Sequence, residues 1–273
     1  MAEPDNAAFV RRVHDQGLRF DRRRLLAMLG GAGALAALGA CSSSESSSPG
    51  STPTSASPGS TSASAGGLTE VASETAGPYP ADGSNGPNVR TLDGIVRKDI
   101  RPSFGTASGV AGGVPLEFAL VVHDRAGAPV SGAAVYAWHC DQGGNYSLYS
   151  TGVTEQNYLR GIQETDGTGT VTFTSIFPAC YSGRWPHIHF EVYSSVANAT
   201  SSGPIVKTSQ IALPQEACDA VYATDGYSAS VRNLSQVSLQ RDNVFGNDAG
   251  IHQIATMSGN TSSGYTSALT VGV

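Results

Sequence analysis

His187-Ile188-His189 is the sharpest chemical feature of this 273-residue chain. On a strand, residues two apart face the same side. Both imidazoles would then converge while Ile188 points into the opposite layer. Two converging imidazoles suit iron, zinc or copper. The bland alternative is a hydrogen-bonded histidine pair within a sheet. Tyr181 and Arg184 precede the pair in Pro178-Ala179-Cys180-Tyr181-Ser182-Gly183-Arg184-Trp185-Pro186-His187-Ile188-His189-Phe190. Upstream stand Trp138-His139-Cys140-Asp141-Gln142-Gly143-Gly144-Asn145-Tyr146-Ser147 and Asn157-Tyr158-Leu159-Arg160-Gly161-Ile162-Gln163-Glu164-Thr165-Asp166-Gly167. A zinc hydrolase built on the two histidines would need an acidic or cysteine third ligand, and none stands nearby in a suitable place.

These blocks, in this order, resemble the intradiol ring-cleavage dioxygenases, the family of protocatechuate 3,4-dioxygenase and catechol 1,2-dioxygenase. The resemblance runs from about Glu74 to Gln210 and is most similar to the secreted, single-chain branch. Glu74-Thr75-Ala76-Gly77-Pro78-Tyr79 resembles a segment that lines the family's active site. The resemblance implies a non-haem Fe(III) held by Tyr146, Tyr181, His187 and His189. Tyr146 matches the tyrosine that stays bound, and Tyr181 matches the one displaced by substrate. It implies that Arg184 stabilises negative charge on a catecholic substrate attacked by dioxygen, giving a cis,cis-muconate-type acid. Gln210 and Tyr79 match pocket positions and are expected to contact substrate. The Tyr181–Arg184 stretch is several residues shorter than in protocatechuate dioxygenase, so substrate identity does not transfer.

The residue types agree with that ion. Ferric iron is a hard Lewis acid and phenolate is a hard anionic donor. A free tyrosine titrates near pH ~10, and a trivalent ion supplies the field that removes its proton. Two phenolates hold iron ferric, unlike the ferrous sites built on two histidines and a carboxylate. His139 reads instead as a structural strand histidine.

The elements that must position these residues read as strands. Val114–Val122, Ala133–His139, Gly169–Ile176, Trp185–Tyr193, Thr208–Leu213 and Leu269–Val273 are short apolar runs separated by turn signals such as Asp124–Pro129. One short helix is expected over Pro214–Tyr222. The fold class is therefore all-β, an antiparallel sandwich with long loops and at most short helices. Such a sandwich could also be a non-catalytic secreted binding module, which would leave the tyrosines, Arg184 and the histidine pair without a purpose.

The first 67 residues differ from the rest. Asp21-Arg22-Arg23-Arg24 precedes a 16-residue apolar stretch ending in Leu38-Gly39-Ala40-Cys41. It is short for a membrane span, and its order of charge, apolar middle and small residues describes a signal peptide. The paired arginines resemble the twin-arginine export signal, and the tetrad resembles a lipoprotein box with Cys41 as lipidation site. Residues 41–67 are rich in Ser, Thr, Pro, Ala and Gly and read as a disordered tether. Residues 68–273 form the expected catalytic domain. The expected location is the outer face of a bacterial cytoplasmic membrane, through the lipid anchor, or the medium after release.

The net charge is −6. Without residues 1–40, ten basic and eighteen acidic residues remain, a charge of −8. That balance disfavours nucleic acid, which needs basic surface. Of the cysteines beyond Cys41, a Cys180–Cys218 disulfide is expected in an exported protein, with Cys140 a buried thiol.

Overall fold

A computed structural model describes residues 68–273. The signal segment 1–40, Cys41 and the tether 41–67 lie outside the described residues.

The described part is a sandwich of two four-stranded sheets. The strands are β1 (Pro115–His123), β2 (Ala134–Trp138), β3 (Arg160–Glu164), β4 (Thr170–Ile176), β5 (His187–Tyr193), β6 (Ile205–Ala212), β7 (Thr256–Asn260) and β8 (Gly264–Gly272). One sheet has the order β4-β1-β8-β7 and the other β3-β2-β5-β6. Helices are short: α1 (Val196–Ala199), α2 (Gln215–Tyr222) and α3 (Ser228–Leu234). No helix among the described residues is long and apolar enough to cross a membrane.

Most expected strands form within a residue or two of their expected bounds. The strand expected from Trp185 starts at His187, directly after Pro186, which has no N–H for a ladder. The strand expected from Thr208 starts earlier, at Ile205. The turn at Asp124 forms, with Asp124 Oδ1 accepting from the Ala126 and Ala128 amides. α2 starts one residue after Pro214. Four elements escape the sequence pattern, the short helix α1 among them. β3 reads Arg-Gly-Ile-Gln-Glu, which has no alternation. β7 is mostly exposed and polar. α3 also lacks an apolar stripe. One pairing departs from the antiparallel expectation: β8 lies parallel to β1, from Leu116 opposite Tyr265 to His123 opposite Gly272.

Alternation fills the space between the sheets. Leu116, Phe118, Leu120 and Val122 from β1 meet Ile188, Phe190 and Val192 from β5, with Val135 and Ala137 from β2. Phe118 stacks on Phe173 of β4 at 5.1 Å between ring centres. The second sheet is covered on its outer face as well. Residues from β2, β3 and β5 pack there against Ala81, Val89, Ile95 and Tyr146 from the loops before β1 and after β2. Hence every residue of β2 and β5 is buried. The central packing sets a quantitative expectation. Replacing Phe118 by Ala should lower unfolding free energy by about 3–5 kcal/mol, read from the midpoint and slope of urea denaturation at constant pH.

Candidate metal centre

The outer face of the second sheet carries the chemistry. Cross-strand partners in register share a face. One such row runs across all four strands: Arg160 is opposite Trp138, Trp138 is opposite His189, and His189 is opposite Gln210. His187 sits two residues before His189 on the same face, while Ile188 enters the core between the sheets, as strand alternation requires. The indole of Trp138 lies flat on the His189 ring, at 4.9 Å and 2° between planes. Gly77 closes the approach from the N-terminal segment. Its φ is +71°, and a Cβ there would meet His189 Cε1 at 3.2 Å, so a side chain is doubly disfavoured.

Four donor atoms converge. His187 Nε2 is 3.1 Å from His189 Nε2, 3.2 Å from Tyr181 Oη and 3.4 Å from Tyr146 Oη. His189 Nε2 is 3.2 Å from Tyr146 Oη. Both histidines and Tyr146 are almost fully buried. The sequence-distant residues Tyr146, Tyr181, His187 and His189 are thus brought to one point.

His187 and Tyr146 are aimed by hydrogen-bonded supports. His187 Nδ1 donates to the Trp185 carbonyl at 2.5 Å, which leaves its Nε2 lone pair free to face the other donors. A ring nitrogen tied to a backbone carbonyl is the usual support of a metal-binding histidine. Tyr146 lies in the loop after β2, whose backbone is held by Arg160. That buried guanidinium donates to the Ser147 hydroxyl and carbonyl at 3.1 and 3.0 Å and to the Tyr79 carbonyl at 2.9 Å. The loop contains left-handed backbone at Leu148 (φ 72°) and Leu159 (φ 56°), each a cost of roughly 1–3 kcal/mol that the surroundings must hold. Tyr181 lies in the β4–β5 loop and is less deeply covered, with exposed Ser182 and Gly183 following it.

The electrostatics describe a site prepared for a cation. Burial, with Arg184 nearby, holds His187 well below its usual range, and burial does the same to His189, so both are neutral acceptors. Burial pushes Tyr146 well above its ordinary value and Tyr181 up to about 12. Ionising these phenols at neutral pH therefore demands a strong positive field at the convergence point. Among the described residues no group of three His, Cys, Asp or Glu gathers anywhere. That leaves a zinc site of the usual ligand types without its third ligand, whereas two phenols and two imidazoles fit a hard trivalent ion.

Arg184 borders the donors, with Nη1 3.5 Å from His187 Nε2. Its Nη2 donates to Gln210 Oε1 at 2.7 Å, and Gln210 Nε2 donates to the Thr75 carbonyl at 2.9 Å. Gln210 is fully buried. Both of its polar ends are engaged by protein groups, so it braces Arg184 against the N-terminal segment instead of offering a free polar group to a ligand. Tyr79 packs its ring on Tyr146 at 4.8 Å and on Tyr149 at 5.1 Å, lining the site through its aromatic face. His139 bonds Ser175 Oγ at 2.7 Å and the Cys140 carbonyl at 2.8 Å, a structural role.

The expected Cys180–Cys218 bridge does not form; Cys140, Cys180 and Cys218 are buried free thiols. Cys180 Sγ instead contacts the Arg184 carbonyl at 3.4 Å. Burial pushes the Cys180 thiol up to about 12, which disfavours the thiolate that bridge formation needs. Two contributions to the site do not follow from motif spacing. Asp242 pairs with Arg184 from the distant segment after α3. The stacking of Trp138 on His189 follows from strand register.

The chain has similarities to known proteins. Residues 104–199 match the family model described as Dioxygenase, a stretch that includes all four donors and Arg184. Chlorocatechol 1,2-dioxygenase of Rhodococcus opacus is 36% identical over 66 residues. Over the matched stretch, this chain is similar to the intradiol ring-cleavage dioxygenases. The matched stretch covers 24% of the chain and 26% of that curated relative. The fold is similar to an intradiol ring-cleavage dioxygenase from Tetranychus urticae, at TM-score 0.56 and 23% identity, over 75% of this chain and 94% of that one. A second solved dioxygenase aligns at TM-score 0.58 and 23% identity, over 75% and 93%.

Glu74 gives this region a pH dependence. Its Oε1 is buried without a partner. Burial raises its pKa from the ordinary 4.5 to about 7, against the opposing pull of Gln253 and Arg184. The folded state therefore binds this proton more tightly than the unfolded chain does. The resulting stability is complete below pH 4.5 and is lost as pH rises to about 7. Glu74→Gln should flatten this fall, so denaturation midpoints at pH 5 and pH 8 should lie closer together in the variant than in the parent protein.

Proposed function

We propose that this chain cleaves a catechol-type aromatic ring by the intradiol route, using dioxygen and a ferric iron bound by Tyr146, Tyr181, His187 and His189. The product is a cis,cis-muconate-type dicarboxylic acid. The observation that carries this reading is the convergence of the two phenol oxygens and two imidazole nitrogens, each 3.1–3.4 Å from its neighbours. When bound, ferric iron supplies Lewis acidity and draws electron density from a chelated catechol, making the ring reactive toward dioxygen.

The chain's own residues divide the remaining work. His187 and His189 act as neutral, rigid donors, fixed by the Trp185 carbonyl and the Trp138 ring respectively. Tyr146 is held under the Tyr79 ring and stays in place. Tyr181 is the donor able to swing out, because its loop reaches solvent at Ser182 and Gly183. Away from a cation its phenol is pushed up to about 12, so Tyr181 Oη accepts and retains a proton from a catechol hydroxyl at neutral pH. Arg184 places fixed positive charge beside the donors and stabilises the anion that develops on the substrate. Burial works against that charge, and Tyr181 and Asp242 outweigh it.

The same reading places the enzyme outside the cytoplasm, tethered through lipidated Cys41 by residues 41–67 or released. Support comes from the arginine pair, the apolar stretch and the Leu38-Gly39-Ala40-Cys41 tetrad. Export in the folded state suits a protein that loads its metal before leaving.

Two measurements test the reading. Protein expressed with ample iron should be reddish, with a broad visible band from tyrosinate coordination, and Tyr146→Phe should lose most of that band. An unchanged colour in the variant would overturn the ligand assignment. An oxygen electrode should record uptake with at least one of catechol, protocatechuate or hydroxyquinol, with one dioxygen consumed per ring opened. Colourless, inert protein under these conditions would overturn the proposal.

A further inference from the structure

Asp242 lies in the segment after α3, beyond the stretch that matches the dioxygenase family model. Its side chain is completely buried. Oδ2 accepts from Arg184 Nε at 2.9 Å and from the Trp185 amide at 2.7 Å. Oδ1 accepts from the Val244 and Phe245 amides at 2.8 and 3.0 Å. The carboxylate is thus itself held still by its own turn. Such a group can set a direction as well as a charge.

The two groups that it holds both serve the site. Trp185 supplies the carbonyl that fixes the His187 ring. Arg184 has three nitrogens, of which Nε is taken by Asp242 and Nη2 by Gln210. Two clamped nitrogens fix the plane of the guanidinium. The third, Nη1, is left at 3.5 Å from His187 Nε2, on the side of the converging donors. The Phe245 ring, 5.9 Å from the guanidinium carbon, lies against the same cation. A surface ion pair would hold no such orientation, because long side chains in water sample many geometries.

We propose that Asp242 is a positioning residue for ring cleavage, aiming Arg184 at the donor atoms from a part of the chain that the family match does not reach. The assignment rests on the function proposed above. It separates Asp242 from a carboxylate that merely caps the Val244–Phe245 turn. A cap would affect stability alone, whereas an aiming residue acts through the groups it holds, chiefly Arg184.

A double-mutant cycle distinguishes the two. The iron-loaded full chain is compared with Asp242→Asn, Arg184→Met and the double variant, using catechol as probe. Three quantities are read: kcat, KM, and the position of the visible tyrosinate band in the resting protein. Asp242→Asn should lower kcat by about 10–100-fold, as expected when a charged group is misdirected by a fraction of its reach. KM should change little and the band should shift. In the Arg184→Met background, Asp242→Asn should cause a much smaller further loss than in the parent. Asp242→Glu keeps the charge but displaces it by one methylene, and should also lose kcat; it carries the test if the Asn variant fails to fold. Full additivity in the cycle, or kcat and band within error of the parent in Asp242→Glu, would overturn the assignment. If the parent protein is coloured but does not open catechol, an unshifted band in both Asp242 variants overturns it. A colourless, inert parent protein overturns the ring-cleavage reading and this assignment with it.

Discussion

The burial of strand β5 on both faces is the constraint on which the site depends. One face, Ile188, Phe190 and Val192, seals the space between the sheets. The other presents His187 and His189. Side-chain direction alternates along a strand, so a slip of one residue would drive both imidazoles into the apolar core and expose Ile188 to the donors. Hydrophobic burial between the sheets therefore fixes the register of the polar face. The register in turn aligns Arg160, Trp138, His189 and Gln210 in one row across four strands.

That arrangement brings neutral ligands within hydrogen-bonding distance of one another. His187 is tied at its far side by the Trp185 carbonyl, the face of the His189 ring is covered by the indole of Trp138, and the Tyr146 loop is held by Arg160. The near sides are left pointing at one another. Burial keeps the imidazoles neutral and the phenols protonated in the absence of a cation. A hard cation reverses this preference for the phenols, and the two resulting negative charges lower its effective charge in the low-dielectric interior.

Long loops, not strands, complete the site. The segment before β1 contributes Gly77 and Tyr79, and the segment after α3 contributes Asp242. The segment before β1 and the loop after β2 are held together by Arg160, whose guanidinium reaches both the Tyr79 and Ser147 carbonyls. The strain at Leu148 and Leu159 is tolerated for the same reason: the surrounding hydrogen bonds and packing leave that backbone no relaxed alternative.

The sequence by itself determined the sheet-based fold, most strand positions, and the face that His187 and His189 share, because two-residue alternation is a local property of the chain. It also marked Tyr146, Tyr181 and Arg184, through block order. Only the tertiary structure decided the rest. β3 and β7 carry little local signal, since β3 is defined by pairing with β2 and β7 by pairing with β8. The parallel placement of β8 beside β1 is a choice of topology that no local pattern encodes. Gln210 bonds both Arg184 and the Thr75 carbonyl, and Cys180 faces a carbonyl rather than Cys218, because the partner of each is set by distant backbone. Asp242 stands 58 residues after Arg184, and no spacing rule relates them. Their meeting is decided by how the chain after α3 folds back over the second sheet.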